Sequence, residues 1–106
     1  METGKTVIII PAYNEGTWLA NTLNLVKASL NKIKAEATIV VIDDGSSDKT
    51  AEVASDAGCE VIRMPRNVGK ANAVYAGLKR ATALGATSTV MLDADVLKMQ
   101  DSFLAE

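Results

Sequence analysis

Asp93 and Asp95 stand two residues apart, directly after the apolar run Ser88-Thr89-Val90-Met91-Leu92. Side chains at i and i+2 leave a strand on the same face, so both carboxylates can be aimed at one point where the strand ends. That arrangement suits a hard divalent cation such as Mg²⁺ or Mn²⁺. Such an ion takes one or two protein carboxylates, keeps some waters and completes its shell with phosphate oxygens. Two acids in a turn are also an ordinary solvated surface or a helix cap. The weight of the pair therefore depends on what the rest of the chain brings beside it.

The elements that must position the pair are legible as alternating patterns. Thr6-Val7-Ile8-Ile9-Ile10 and Thr38-Ile39-Val40-Val41-Ile42 are continuous β-branched runs, the signature of strands buried on both faces. Pro11 to Gly16 is expected to end the first strand in a loop. Leu19, Leu23, Val26, Leu30 and Ile33 recur at helical spacing, with Trp18 and Leu25 widening the apolar face. Asp48 is placed to cap a helix from Lys49 to Ala57, which Gly58 closes. Glu60-Val61-Ile62-Arg63-Met64 reads as a shorter third strand. A helix from Lys70 to Leu84 follows, with Ala71, Val74, Leu78 and Ala81 expected on its packed face. Ser88 to Leu92 is the fourth strand, and Met99 to Glu106 can begin another helix.

This βαβαβαβ order implies an α/β fold, a three-layer α/β/α Rossmann-like parallel sheet. Right-handed crossovers give the strand order 3-2-1-4. The reversal beside the first strand is a switch point, where such sheets bind ligands at the carboxyl ends of their strands. Three loops meet there: Pro11 to Gly16, Asp43 to Ser46 and Asp93 to Asp95. Arg66 to Lys70 lies close by. Acids from separate strands together with Arg66 and Lys70 make a metal and phosphate site the leading reading. Asp93 and Asp95 can hold the metal. Tyr13 can cover a base or simply close the core, and Glu15 can bond a ribose hydroxyl or serve the helix dipole. Either Asp43 or Asp44 can face the ligand while the other serves the loop. Lys70 and Arg66 can meet phosphate, with help from backbone N–H groups at the start of the third helix.

Bulk properties narrow the function classes. The 106 residues carry a net charge of -2 and no basic block, which argues against a nucleic-acid groove. The chain has no histidine, so it holds no histidine catalyst and no Cys/His zinc site. Its single cysteine, Cys59, reads as a small core residue. No signal peptide or membrane-spanning run is visible, and a cytoplasmic setting is expected, including the cytoplasmic face of a membrane in a longer parent.

Val7 to Glu15, Val41 to Asp48, Arg66-Asn67-Val68-Gly69-Lys70-Ala71 and Leu92-Asp93-Ala94-Asp95 together resemble family 2 glycosyltransferases of the GT-A fold. The nearest types are polyprenyl-phosphate sugar transferases and glucosyl-phosphoglycerate synthases. The polyprenyl type often carries Gln two residues after the second acid, where this chain has Leu97. The resemblance implies a UDP- or GDP-sugar donor and Mg²⁺ or Mn²⁺. Pro11, Tyr13 and Glu15 would line the nucleoside site, Asp44 would read the base, and Asp93 and Asp95 would handle ribose, diphosphate and metal. The implied donor-site set is Pro11, Ala12, Tyr13, Glu15, Asp43, Asp44, Lys70, Asp93, Ala94 and Asp95. A GT-A domain is usually much longer, so residues 1–106 are expected to be a single donor-binding half. The acceptor site and general base would lie in the other half, leaving no catalytic residue here. The open edge of the fourth strand would then pair with that half or with a second copy.

The alternative of a different class is a non-catalytic nucleotide-binding or self-assembling half-domain. A phospho-receiver-like domain fits poorly, because its acid pair belongs after the first strand. Nucleotidyl transfer on a similar sheet stays open, but it usually uses a basic, Gly-rich first loop, and Tyr13-Asn14-Glu15 stands there instead.

Overall fold

The structure is a computed structural model that describes residues 4–95. The expected helix from Met99 and the departure at Leu97 lie outside the described residues. Seven elements follow in order: β1 (Thr6–Ala12), α1 (Gly16–Lys32), β2 (Thr38–Asp43), α2 (Thr50–Asp56), β3 (Glu60–Arg63), α3 (Lys70–Ala83) and β4 (Ser88–Met91). The four strands form one parallel sheet in the order β3-β2-β1-β4. β1 and β2 lie in its centre, which is why their sequences are apolar without alternation.

Each central strand feeds two cores. Ile8, Ile10 and Ala12 of β1 join Ile39 and Val41 of β2 beneath Leu19, Leu23 and Val26 of α1 and Ala54 of α2. On the other face Val7, Ile9, Val40 and Ile42 meet Ala73 and Ala81 of α3. Helices therefore cover both faces. Cys59 is partly buried at the edge of the first core, where burial pushes its thiol up.

Three details differ from the sequence reading. The first strand continues through Pro11, which pairs with Ile42. Ile9 O accepts Leu92 N–H on the β4 side, and Ala12 O accepts Asp44 N–H on the β2 side. Backbone groups alternate sides along a strand, so the N–H that Pro11 lacks would point past the last residue paired in β4, Met91. The β1–β4 pairing ends at Ile9 and Met91, where that donor would be needed next.

The second difference is the packed face of α3. Ala73, Gly77 and Ala81 are its buried residues, whereas Leu78 is 44% exposed and Ala71 faces solvent. A Cβ on Gly77 would lie 2.6 Å from Ile9 Cγ2 and 2.8 Å from Ile42 Cδ1. The helix lies close to the sheet because its contact stripe is small, and hydrophobicity alone selects the wrong neighbours. The third concerns α1, where Leu25 in mid-helix and Ile33 just past its last residue are exposed, so neither belongs to the packed face.

All four residues of β4 are exposed. Its inner edge pairs with β1, and its outer edge is open among the described residues.

Candidate functional site

The start of α1 and the start of α2 are locked together at the carboxyl end of the sheet. Asn14 adopts a left-handed conformation with φ 53°. Its N–H donates to Ser46 Oγ at 2.8 Å, and its Oδ1 accepts Ser47 N–H at 2.8 Å. Glu15 N–H donates to Thr50 Oγ1 at 3.1 Å, and Gly16 N–H donates to Asp48 Oδ2 at 3.1 Å. The other Asp48 oxygen accepts from Thr50 N–H at 3.0 Å and from the Thr50 hydroxyl. One carboxylate thus satisfies free N–H groups at the starts of two helices. This explains why α1 begins at Gly16, ahead of its first buried leucine.

The Thr50 hydroxyl bond, followed by the backbone donors of Gly16 and Thr50, holds the Asp48 carboxyl below its ordinary range. Unfolded Asp48 therefore takes up a proton more readily than folded Asp48. The stability it contributes is complete above about pH 4 and is lost as pH falls through the lower folded value. Glu60, lowered by Arg80, acts in a neighbouring acid window. Asp48→Asn is expected to flatten the acid limb of a urea-midpoint against pH profile without abolishing it. Because Asp48 is exposed, the loss at pH 7 should be no more than about 1 kcal/mol. An acid limb identical to the parent's would contradict this role.

The paired acids after β2 divide their work. Asp43 is 1% exposed, its Oδ1 accepts Ser46 N–H at 3.0 Å, and its Oδ2 lies 3.6 Å from Arg63 Nε. Asp44 accepts Val68 N–H at 2.8 Å on Oδ1 and Gly69 N–H at 3.1 Å on Oδ2. Gly45 (φ 76°) packs so tightly on the following loop that an added Cβ would lie 2.3 Å from Arg66 C. Loop 65–69 is therefore seated on the turn after β2. Its Val68 and Gly69 N–H groups are taken by Asp44, just ahead of the start of α3 at Lys70.

After β4, Thr22 fixes the acidic turn. This threonine is fully buried in α1, and its hydroxyl donates to Ala94 O at 2.7 Å. Lys70, the first residue of α3, reaches Asp93 Oδ1 at 2.7 Å. The hydrogen bond and charge of Asp93 push the Lys70 ammonium above its ordinary range, with a smaller push from Asp95. Lys70 is thus a full cation at neutral pH.

These loops enclose a cleft of about 180 Å³ lined by Pro11, Ala12, Tyr13, Glu15, Asp44, Lys70, Ala73, Asp93, Ala94 and Asp95. Nine residues of the sequence-derived set line it. Asp43 does not, because its carboxylate is buried against Ser46 and Arg63. Arg66 is exposed and is not part of the lining. Tyr13 is 48% exposed at the rim, so it does not close the core. Sequence reasoning missed Thr22, Ala73 and Asn14. Thr22 had a signal, a hydroxyl inside an apolar helical stripe. Ala73 and Asn14 had none.

A larger cleft of about 640 Å³ lies at the amino end of β2, between Lys27, Leu30 and Cys59. It lacks a paired-acid turn, so the smaller cleft is the chemically equipped one. Among the described residues no cluster of three or more His, Cys, Asp or Glu forms a metal cage. Of the four carboxylates lining the smaller cleft, Asp93 and Asp95 share one turn. That pair fits a hard divalent ion that keeps waters and takes ligand oxygens.

A four-stranded parallel sheet with a switch point and an acidic turn at its carboxyl end is a Rossmann-like α/β domain with its loops gathered where such sheets bind ligands. The family model for glycosyl transferase family 2 matches residues 7–104, and the chain belongs to that family. An undecaprenyl-phosphate 4-deoxy-4-formamido-L-arabinose transferase of Enterobacter sp. is 34% identical over 98 residues, covering 87% of this chain and 29% of that protein. An uncharacterized protein of Methanocaldococcus jannaschii is 36% identical over 88 residues, covering 83% and 34%. Among solved structures, glucosyl-3-phosphoglycerate synthase of Mycobacterium tuberculosis in complex with Mn²⁺ and UDP-glucose superposes with a TM-score of 0.67. It is 22% identical, covering 87% of this chain and 33% of that one. The chain spans about a third of the length of the curated relatives it matches. No described helix is long and apolar enough to cross a membrane.

Proposed function

We propose that the cleft binds a nucleotide-diphosphate sugar, UDP- or GDP-linked, as the donor half of a glycosyl transfer site. The observation that carries this reading is convergence. Tyr13 and Glu15 from the loop after β1, Asp44 from the turn after β2, Lys70 from α3 and the Asp93–Asp95 pair after β4 line a single opening. Tyr13 offers a ring face to a base or ribose, and Asp44 offers an acceptor to a base N–H. Lys70 offers a cation to a diphosphate. Asp93 and Asp95 would hold Mg²⁺ or Mn²⁺, which would neutralise charge on a departing nucleoside diphosphate.

At about 180 Å³ the cleft is smaller than the roughly 300–1,000 Å³ of enclosed ligand sites. This supports a site that holds part of a nucleotide sugar and is completed by further chain. The open edge of β4 is where further strands would add, and the same reading assigns acceptor binding and the general base to them.

Calorimetric titration of UDP and GDP, each with and without Mn²⁺, tests the reading. Metal-dependent binding of one nucleotide is the expected result and names the base. Binding of neither would overturn it for this chain. Nucleotide binding with no donor hydrolysis or transfer, even with the relatives' remaining length supplied, would favour a non-catalytic binding module.

A further inference from the structure

The ion pair between Lys70 Nζ and Asp93 Oδ1 is exposed at both ends, 57% for Lys70 and 45% for Asp93. An ion pair so open to water contributes little to stability. The fold does not depend on it either, since α3 is seated on the sheet through Ala73, Gly77 and Ala81. What distinguishes the pair is its place. Among the described residues, Lys70 is the cation paired with either acid of the Asp93–Asp95 turn. It reaches that acid across the cleft that Tyr13, Glu15 and Asp44 also line. The lone pairs of Asp93 that accept from an ammonium are those a divalent cation would take, and two cations on one carboxylate repel.

We propose that Lys70 is the built-in counterion of the Asp93–Asp95 pair, competing with a divalent cation for Asp93 and transferring to an incoming phosphate once the cation holds the carboxylates. This inference rests on the nucleotide-sugar reading above. The lysine stem is flexible and carries a point charge, so an exchange of partner within one cleft needs no backbone movement. The consequence is a pair of opposite effects from a single side chain. Lys70 weakens binding of the metal alone and strengthens binding of the nucleotide with the metal. A residue that merely props the fold would move both in the same direction.

The test uses the parent chain, Lys70→Met and Lys70→Arg. Free Mn²⁺ is followed by electron paramagnetic resonance as protein is added, and UDP and GDP are titrated calorimetrically at saturating Mn²⁺. Removing an exposed competing charge should tighten Mn²⁺ alone by about three- to fivefold in Lys70→Met. Losing a charge-assisted phosphate contact should weaken the nucleotide by about tenfold or more. Lys70→Arg keeps the charge and should stay near the parent in both assays. If Lys70→Met binds Mn²⁺ no tighter while the parent shows Mn²⁺-dependent nucleotide binding, the competition is wrong and the site reading stands. If the parent binds neither Mn²⁺ nor nucleotide, both fall.

Discussion

Gly45→Ala should lower the stability of this domain by about 2–4 kcal/mol and unseat the loop before α3. Two costs add. The residue has φ 76°, a left-handed conformation that alanine adopts only with strain. The new methyl would also lie 2.3 Å from Arg66 C, 2.4 Å from Asn67 N and 2.8 Å from Arg66 Cα. All three are backbone atoms, so no rotamer change relieves the overlap, and loop 65–69 must move. For a domain this small, thermal unfolding should fall by about 10 °C or more. The amide signals of Val68 and Gly69 should shift as their bonds to Asp44 lengthen. A variant that melts with the parent would show that the turn and the loop are not in contact.

Asp44→Ala should be nearly as costly and should also weaken nucleotide binding. The side chain is 4% exposed and accepts two backbone N–H groups. Truncation leaves both donors without their carboxylate, a loss of about 2–3 kcal/mol after water reaches the half-buried loop. Asp44→Asn should lose about half of that, since its amide nitrogen faces a donor in place of an acceptor. Under the proposed function, nucleotide affinity in Mn²⁺ should fall at least about tenfold in Asp44→Ala, because the loop that leads into Lys70 is released and the base loses an acceptor, and by less in Asp44→Asn, which keeps one acceptor oxygen. Comparing urea midpoints with calorimetric affinities separates the two roles. Lost stability with intact nucleotide affinity would leave Asp44 as a loop clamp and remove it from the ligand site.

Much of this architecture is legible in the sequence because burial on both faces writes itself as unbroken apolar runs. Ile8, Ile9 and Ile10 and the run from Ile39 to Ile42 identify the two central strands, and crossover handedness then orders all four. Convergence of the loops at the switch point follows from that order. Close approach is less legible. Ala73, Gly77 and Ala81 pack α3, whereas a search for large apolar residues points to Leu78, which is exposed. Contacts between distant loops are not legible at all. The bonds joining Asn14 to Ser46 and Ser47, and Glu15 to Thr50, link residues more than thirty positions apart. The same is true of the choice between Asp43 and Asp44. Both acids were open to either duty, and both have loop partners, yet only Asp44 also lines the cleft.

The most direct measurement is paramagnetic line broadening in ¹⁵N-labelled protein, using sub-stoichiometric Mn²⁺ with UDP or GDP. The expected result is selective loss of amide signals around Tyr13 to Glu15, Asp44 to Gly45, Val68 to Lys70 and Asp93 to Asp95, with Lys27 and Cys59 at the opposite end of the sheet unaffected. Broadening centred on Lys27 and Cys59, or none at any nucleotide concentration, would contradict a metal and nucleotide site at the carboxyl ends of these strands.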